Sequence, residues 1–350
     1  MENGILGGAV IGYGGMGNFH SKKMQSVDGI ELIGVYDIDP ARHEIAKERG
    51  INYYNSREEL LADSRIDLVV VATPNDVHKE IVIDSLRAGK NVLCEKPVTM
   101  KSEDLEDMIA VSKETGKLFT VHQNRRWDED YLIAKRIFEK KTVGNVFRFE
   151  SKVHGSHGIP EGWRGEKAHG GGMLLDWGVH LLDQMLTMMS PRKLLSVYAS
   201  LTNITNDECD DGFYATFKFE GGIEWLVEVV TNNFIEMPRW YILGENGSAV
   251  IKNWDCDGEV VKVINWEKYD VVPVPAGAGL TKTMAPRNSD TVKSVTLERV
   301  EVDQKAFYKN LIAAINGKEP IEVTHEQLRL SVKLIETIFK SAEQNTVIKF

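Results

Sequence analysis

The chain is poor in cysteine. Its 350 residues contain three, Cys94, Cys209 and Cys256, an odd number without any Cys-x-x-Cys spacing. A disulfide framework or a structural zinc site needs more sulfur ligands in closer pairs than this sequence supplies. We therefore expect neither, and we predict no metal site.

The sequence also lacks long apolar runs and an excess of basic residues. No segment approaches the roughly 18 apolar residues of a membrane helix. The apolar stretch from Ile5 to Ile11 has no basic region before it and a glycine-rich turn directly after it, which is the pattern of a first strand rather than a signal peptide. The formal net charge of −10 argues against nonspecific DNA or RNA binding, which needs a basic surface. We expect a cytoplasmic protein with no membrane or nucleic-acid partner.

The length of the chain and its pattern of apolar residues predict two domains. At 350 residues the chain is too long for one ordinary core and suits two domains that share a cleft. Up to about His122, apolar runs alternate with amphipathic segments, as in a parallel sheet with crossover helices. Beyond it, alternating segments follow one another without helices, as in a large antiparallel sheet. We predict an α/β domain over residues 1–122 and an α+β domain over residues 123–350, with a large, open, mainly antiparallel sheet.

The local patterns predict most elements. In the first domain we expect strands at residues 8–11, 31–36, 68–72, 91–94 and 118–121, a weaker strand at 51–54, and helices at 41–49, 76–88 and 102–115. Each of these helices is followed by glycine, which takes the left-handed conformation of a helix terminus without steric penalty. In the second domain we expect a helix at 128–140, strands at 146–154, 194–204, 213–219, 223–231, 240–243, 249–253 and 259–266, and an irregular loop at 273–280. Thr324 opens a capping box at the start of the last helix.

A glycine fingerprint marks a dinucleotide site. The run Gly12-Tyr13-Gly14-Gly15-Met16-Gly17 fits G-x-G-x-x-G between an apolar strand and a helix-compatible stretch, where glycines allow the pyrophosphate to approach the helix N-terminus. Asp37 ends the second strand 20 residues after Gly17, where a carboxylate binds ribose hydroxyls and repels a 2′-phosphate. Because the next residue is Ile38 and not a basic one, NAD is favoured over NADP, although Arg42 could contact a phosphate. The alternative is a glycine-rich turn with an incidental acid.

Two further segments follow strands of the predicted parallel sheet. Thr73, Pro74 and Asn75, with His78 nearby, follow the strand at 68–72, and Glu95-Lys96-Pro97 follows the strand at 91–94. The carboxyl ends of parallel strands face the ligand crevice, so these residues should line the cofactor. The alternatives are an ordinary strand-to-helix corner and a lysine that extends to solvent along the surface.

Asp176 and His180 lie four residues apart. On a helix this spacing places both on one face, where a carboxylate fixes the imidazole tautomer and raises its basicity. Gly170-Gly171-Gly172 upstream lets the backbone pass close to a ligand. The alternative is a surface or capping pair.

These motifs, together with Trp163-Arg164, make the chain resemble the Gfo/Idh/MocA oxidoreductases over essentially its whole length. The resemblance implies a Rossmann domain followed by an open antiparallel sheet used in oligomer contacts. It further implies a catalytic set of Lys96, Asp176 and His180, and a cis bond between Lys96 and Pro97. By the same analogy, the residues near the nicotinamide or the substrate are Asn124, Arg125, Trp163 and Arg164.

The resemblance and the motifs together predict an NAD-dependent dehydrogenase that oxidises a secondary hydroxyl of a sugar, glycoside or cyclitol. In this reading His180 takes the hydroxyl proton, Lys96 binds the same oxygen, and Asp176 orients His180. The histidines of the glycine-rich stretch contact sugar hydroxyls or lie on a solvated loop, and they are His154, His157 and His169. Two alternatives stay open: redox-assisted glycoside cleavage with recycled NAD, and a non-catalytic NAD-binding protein.

We also expect a homodimer or higher homo-oligomer, formed through the sheet of the second domain. Val227, Val229 and neighbouring Trp225 alternate along one predicted strand and would leave apolar surface in water if no partner covered them.

Overall fold

The computed structural model describes residues 4–267 and 272–350, and its first sheet is fully parallel. The sheet has the strand order β2-β1-β3-β4-β5. Its strands are β1 (Leu6–Ile11), β2 (Ile30–Tyr36), β3 (Leu68–Val71), β4 (Asn91–Cys94) and β5 (Phe119–Val121). They are short, and all but the edge strand β2 are almost wholly buried, as expected for parallel strands covered by helices on both faces.

The helices of this Rossmann-type unit are α1 (Gly15–Ser26), α2 (Pro40–Glu48), α3 (Arg57–Ala62), α4 (His78–Arg87) and α5 (Ser102–Thr115). The predicted strand at 51–54 is wrong, because this segment makes only one isolated bridge, between Val35 and Tyr53. The chain turns away directly after it, and Ser56 caps the unpredicted helix α3 by accepting the Glu59 N–H.

The second sheet has nine strands in the order β15-β12-β11-β10-β6-β9-β8-β7-β16. All of its pairs are antiparallel except β6 with β9, which confirms a large, mainly antiparallel sheet. The strands are β6 (Val146–His154), β7 (Leu194–Thr202), β8 (Gly212–Phe219), β9 (Glu224–Val230), β10 (Trp240–Gly244), β11 (Gly247–Ile251), β12 (Gly258–Val263), β15 (Val292–Thr296) and β16 (Ile348–Lys349).

A small hairpin replaces the irregular loop predicted at 273–280. Its strands are β13 (Val274–Ala276) and β14 (Gly279–Thr281). Gly277 has a φ of +58°, and this left-handed residue lets a tight turn join the two strands. The loop prediction was therefore wrong.

Helices cover one face of the nine-stranded sheet: α6 (Glu129–Glu139), α7 (Val179–Met189) and α9 (His325–Gln344). Trp225, Val227 and Val229 point to this covered face and are at most 1% exposed, so they belong to the core. The expectation that these three form a subunit interface was wrong, because the alternation along β9 places them under the chain's own helices. The open face instead carries Tyr214 and Tyr241.

The C-terminal segment returns to the first sheet. In helix α8 (Ala306–Ile315), Phe307 and Leu311 join the core of the Rossmann-type unit, and Leu328 at the start of α9 does the same. This packing places α8 beside the residues that follow β5. Among the described residues, no helix is both long enough and apolar enough to cross a membrane.

Candidate active site

A cavity of about 950 Å³ lies at the carboxyl ends of β1, β2, β3 and β4. Its other wall comes from residues 163–180 of the second part of the chain. The turns after these strands meet here because parallel strands end at the same edge of a sheet. The volume is at the upper end of the roughly 300–1,000 Å³ of small-molecule sites, which suits a ligand as large as a dinucleotide.

The glycine turn forms a cradle at this edge. Gly12 has a φ of +92°, and a Cβ atom on Gly17 would lie 1.9 Å from the Gly12 carbonyl oxygen, so both positions require glycine. A Cβ on Gly14 or Gly15 would meet no atom within 4 Å, and both residues line the cavity. Helix α1 begins here with no acidic residue in its first turn and no side-chain cap, so its positive end remains available to phosphate groups.

Asp37 is fixed at the end of β2. Its Oδ2 accepts the Tyr13 N–H at 2.5 Å and its Oδ1 accepts the Asp39 N–H at 2.8 Å. Asp37 lines the cavity together with Ile38 and Arg42. Tyr13 and Gly17 do not line it. Tyr13 instead contributes its main-chain N–H to Asp37.

The turn after β3 lines the cavity with Thr73, Pro74 and Asn75. His78 does not reach it, contrary to expectation. The ring is buried and contacts the main-chain oxygens of Pro97 and Thr73, each at 3.0 Å, because it lies on the inner side of α4. His78 thus links the turns after β3 and β4 through their main-chain oxygens, without lining the cavity.

Lys96 is paired with Asp176. Lys96 Nζ donates to the Asp176 main-chain oxygen at 2.8 Å and to Oδ1 at 3.1 Å, and Arg164 Nε lies 3.4 Å from the same Oδ1. Burial raises the pKa of the Asp176 carboxyl, but the two cations outweigh it and hold that pKa below its usual range. The Lys96–Pro97 bond is cis, as the resemblance implied.

His180 lines the same cavity and is only 6% exposed. Burial, followed by the charges of Lys96 and Arg125, lowers the pKa of His180 well below its usual value. The imidazole is therefore neutral at neutral pH and can accept a proton.

Asp176 does not hydrogen-bond His180. Within the described residues, His180 Nδ1 has no hydrogen-bond partner, and the Asp176 carboxylate contacts Lys96 and Arg164 instead. The reason is local: Leu174–Gly178 is a turn of π-helix, whose wider turn changes the angle between side chains four residues apart. The predicted orienting role of Asp176 was wrong in this respect.

Two arginines stack on tryptophans at the cavity wall. Arg125 lies 4.2 Å from the ring centre of Trp177 and pairs with Asp128 at 2.8 Å. Arg164 lies 4.5 Å from the ring centre of Trp163. The rings hold both guanidinium groups in place. Other predicted residues that line the cavity are Met16, Glu95, Asn124 and His169.

His154 and His157 lie outside the cavity. His154 Nε2 contacts Glu228 Oε2 at 3.1 Å on the open face of the sheet. The alternation along β6 turns His154 to the face opposite Val153, which is buried against the helices. His157 lies in the exposed loop after β6. The structure therefore does not support the prediction that these two histidines contact the substrate.

A buried network behind Lys96 escaped the sequence reasoning. Glu95 Oε1 contacts His122 Nδ1 at 2.8 Å and His20 Nε2 at 2.7 Å, and His20 Nδ1 contacts the Tyr308 hydroxyl at 2.5 Å. Burial raises the pKa of Glu95, but His122 and His20 outweigh it and hold that pKa well below its usual value. One nitrogen of each histidine and one Glu95 carboxylate oxygen lie within 4.8 Å of one another, which is close enough for the three atoms to bind a metal ion. In the structure, Glu95 instead contacts both rings directly. His20 and His122 share no sequence spacing that could have revealed this.

Comparison with known proteins agrees with the fold. A family model described as an oxidoreductase family with an NAD-binding Rossmann fold matches residues 6–123, and a model of the GFO/IDH/MocA C-terminal domain matches residues 131–250. A crystal structure of an NAD-binding protein from Listeria innocua is similar, with a TM-score of 0.96, 46% identity and 99% of both chains covered.

Two relatives show the same likeness in sequence. An uncharacterised oxidoreductase of Schizosaccharomyces pombe is 30% identical over 85% of both chains. The scyllo-inositol 2-dehydrogenase (NADP(+)) of Bacillus subtilis is 26% identical over 97% of this chain and 94% of its own. The two family models together cover more than half of the sequence. The protein belongs to the Gfo/Idh/MocA family and is an NAD-binding oxidoreductase.

Proposed function

We propose that the protein oxidises a secondary hydroxyl of a sugar, glycoside or cyclitol to a ketone. The observation that carries the proposal is the pairing of Lys96 with Asp176 in the same cavity as a neutral, buried His180. A cation and a base beside one oxygen are what removal of a hydroxyl proton needs. The B. subtilis relative, named for scyllo-inositol, supports a polyol as the substrate.

The chemistry divides between His180 and Lys96. His180 accepts the hydroxyl proton on its neutral imidazole. The Lys96 ammonium donates a hydrogen bond to the same oxygen and stabilises the negative charge that develops there. Asp176 holds Lys96 by two hydrogen bonds, so we assign it as the residue that positions the lysine. NAD supplies, when bound, the carbon that accepts the hydride.

The cavity residues fit NAD. The open space beside Gly14 and Gly15 suits the pyrophosphate, and Asp37 suits a ribose that carries both hydroxyls. No basic residue directly follows Asp37, so we propose NAD as the preferred cofactor over NADP. The proposed cofactor contacts are Gly12, Gly14, Gly15, Met16, Asp37, Ile38, Arg42, Thr73, Pro74, Asn75, Glu95, Lys96, Asn124, Trp163 and Arg164.

The function is tested by a screen of sugars, glycosides and inositols with NAD and, separately, NADP. NADH formation together with a keto product detected by mass spectrometry is the expected result. The His180→Ala protein serves as the control for background oxidation. Cleavage of a glycoside without net NADH would favour redox-assisted cleavage with recycled cofactor. Stoichiometric NAD binding without turnover of any compound would contradict the proposed oxidation.

We also propose that two copies associate through the open face of the nine-stranded sheet. Tyr214 and Tyr241 are 38% and 37% exposed there, and Leu226 lies between Glu150 and Thr216 of the neighbouring strands. Aromatic side chains are favoured at subunit interfaces, and closed two-fold dimers are the commonest homo-oligomers. The domain boundary that we propose lies at residue 122, directly after β5.

A further inference from the structure

A row of two tryptophan rings leads from His180 to the surface of the protein. The centre of the Trp177 ring lies 6.0 Å from that of the His180 ring, and the centre of the Trp254 ring lies 5.8 Å from that of Trp177. Exposure rises in the same order, because His180 is buried, Trp177 is partly buried in the cavity wall and Trp254 is 50% exposed. The row therefore starts at the proposed base and ends in solvent.

Arg125 joins the two tryptophan rings. Its Cζ atom lies 4.2 Å from the ring centre of Trp177 and 5.4 Å from that of Trp254, and its guanidinium group is held by the ion pair with Asp128. Arg125 and Trp177 both line the catalytic cavity, whereas Trp254 lies just outside it and packs beside them. Trp254 therefore stands at the rim of the cavity.

Trp254 is held in a fixed orientation at this rim. It lies in the short turn between β11 and β12, where Asn253 Oδ1 accepts the Asp257 N–H at 3.0 Å and Asn253 Nδ2 donates to Asp257 Oδ2 at 2.9 Å. The buried Arg239, paired with Asp130 at 2.8 Å, covers one face of the Trp254 ring, with Cζ 3.9 Å from its centre. Because half of the side chain is still exposed, its uncovered surface is open to a ligand.

Two aromatic rings in a row suit a ligand that has two rings of its own. One face of a pyranose carries mainly C–H groups and packs on an aromatic ring, and an aromatic group packs there in an offset or edge-to-face arrangement. A single sugar or cyclitol ring whose hydroxyl meets His180 lies beside Trp177. Trp254 is one ring further out, so only a substrate with a second ring reaches it.

We propose, resting on the oxidation proposed above, that Trp177 and Trp254 form a subsite for the second ring of a glycoside. The preferred substrate then carries a pyranose or an aromatic aglycone beyond its glycosidic bond, and both offer the same flat apolar face. The guanidinium group of Arg125, beside both rings, offers N–H donors to the hydroxyls of the bound sugar. This subsite favours glycosides over free cyclitols and is separate from the proposed cofactor contacts at the glycine turn and Asp37.

Equilibrium binding tests the subsite without requiring oxidation. Calorimetry measures the affinity of the NADH-loaded protein for scyllo-inositol, for methyl and phenyl glucosides in both anomeric forms, and for cellobiose and maltose. A compound with a second ring should bind about tenfold more tightly than the methyl glucoside of the same anomeric form, because its second ring packs on Trp254. Tighter binding of the phenyl glucosides alone identifies an aromatic aglycone, and tighter binding of the disaccharides alone identifies a second pyranose. Equal affinities for all glucosides would overturn the subsite.

Variants of Trp254 distinguish a subsite from a structural role. Trp254→Ala should reduce the preference for the second ring about tenfold, to near equality with the methyl glucoside, whereas Trp254→Phe, which keeps an aromatic ring, should retain most of it. Trp266→Ala is the matched control, because Trp266 is 55% exposed and stacks with Arg287 at 4.6 Å but does not line the cavity. A Trp254→Ala protein that keeps the full preference, or that loses affinity equally for every glucoside, would overturn the subsite.

Turnover keeps this inference separate from the proposed function. If the compounds with a second ring bind with the expected preference but give no NADH from NAD, the proposed oxidation fails and the subsite stands. If the protein oxidises scyllo-inositol and methyl glucosides but binds the compounds with a second ring no more tightly, the oxidation stands and the subsite fails. Absence of binding of every glucoside would also overturn the subsite.

Discussion

Lys96 and Asp176 are joined twice, because Lys96 Nζ donates both to the carboxylate and to the main-chain oxygen of the same residue. The pair connects the turn after β4 with the π-helical turn Leu174–Gly178, so the lysine is held from the opposite wall of the cavity. His180 follows this turn but makes no hydrogen bond to Asp176 among the described contacts. The proposed base, His180, is therefore not positioned by the contact that holds the cation, Lys96.

Lys96→Met and His180→Ala should each retain NAD binding and lose oxidation by about 10²- to 10⁴-fold, because each removes one group that acts on the hydroxyl. The two losses should combine less than additively, since both act on one oxygen. Lys140→Met, on the surface, is the matched control for the lysine change. Cofactor affinity and turnover are measured separately for each protein. Near wild-type oxidation by both variants would remove them from the catalytic set.

The pH profile should report the neutral state of His180. Burial and the charges of Lys96 and Arg125 lower its pKa, so kcat/KM should stay high below the pH at which an ordinary histidine becomes protonated, and should fall only at more acidic pH. Arg125→Gln removes one repelling charge, which raises that pKa and moves the acid limb to higher pH. Arg192→Gln, on the surface, should leave the profile unchanged. An acid limb that does not move in Arg125→Gln would contradict this electrostatic assignment.

The parallel sheet, the glycine turn and Asp37 could be predicted because each depends on a local pattern. A strand, a tight turn and a helix follow one another within a few residues, and the register of the turn fixes where the acid falls. The position of Lys96 in the cavity could also be predicted, because a residue directly after a parallel strand lies at the ligand-binding edge of the sheet.

The partners of these residues could not be predicted in the same way. The contact of Asp176 with Lys96 depends on a π-helical turn, which an i, i+4 rule does not anticipate. His20 lies on α1 and His122 directly follows β5, and both contact Glu95, which directly follows β4. Such contacts depend on tertiary packing between segments that are distant in the sequence. The residue spacing within a single helix or strand does not predict them.

Asp37→Ala should weaken NAD binding by about 1.5 to 3 kcal/mol, roughly tenfold to over a hundredfold, and NADP binding by less. The variant loses ribose hydrogen bonds but also loses the charge that repels a 2′-phosphate. Because the carboxylate also accepts the Tyr13 and Asp39 N–H groups, Asp37→Asn, which can still accept one of them, shows how much of the loss is due to charge. Titration of both cofactors into each protein measures these affinities, with the surface variant Asp28→Ala as control. Equal losses for NAD and NADP would remove the ribose assignment.

Tyr214→Glu combined with Tyr241→Glu should convert a dimer into monomers. The two substitutions place like charges on the open sheet face of both copies, where they would repel across the proposed interface. Light scattering at micromolar concentration should change from about twice 39.4 kDa to 39.4 kDa. Phe339→Glu on α9, at a side chain of similar exposure, should leave the dimer intact. A wild-type species of 39.4 kDa alone would contradict the dimer.

Asp210 should make the stability of the fold depend on pH. Its Oδ2 accepts the Leu174 N–H at 2.7 Å at the start of the π-helical turn, and burial raises the pKa of its carboxyl to about 7. Between about pH 4 and pH 7 the folded state therefore binds more protons at this site than the unfolded state, so the free energy of unfolding falls as pH rises, by up to about 4 kcal/mol. Asp210→Asn keeps an oxygen acceptor for Leu174 but cannot ionise, so it should be more stable than wild type at about pH 8 and similar to it at about pH 4. Urea unfolding of both proteins at these two pH values measures the difference, with exposed Asp207→Asn as the control. A stability difference of the same size at both pH values would show that the ionisation of Asp210 does not cause the pH dependence of the free energy of unfolding.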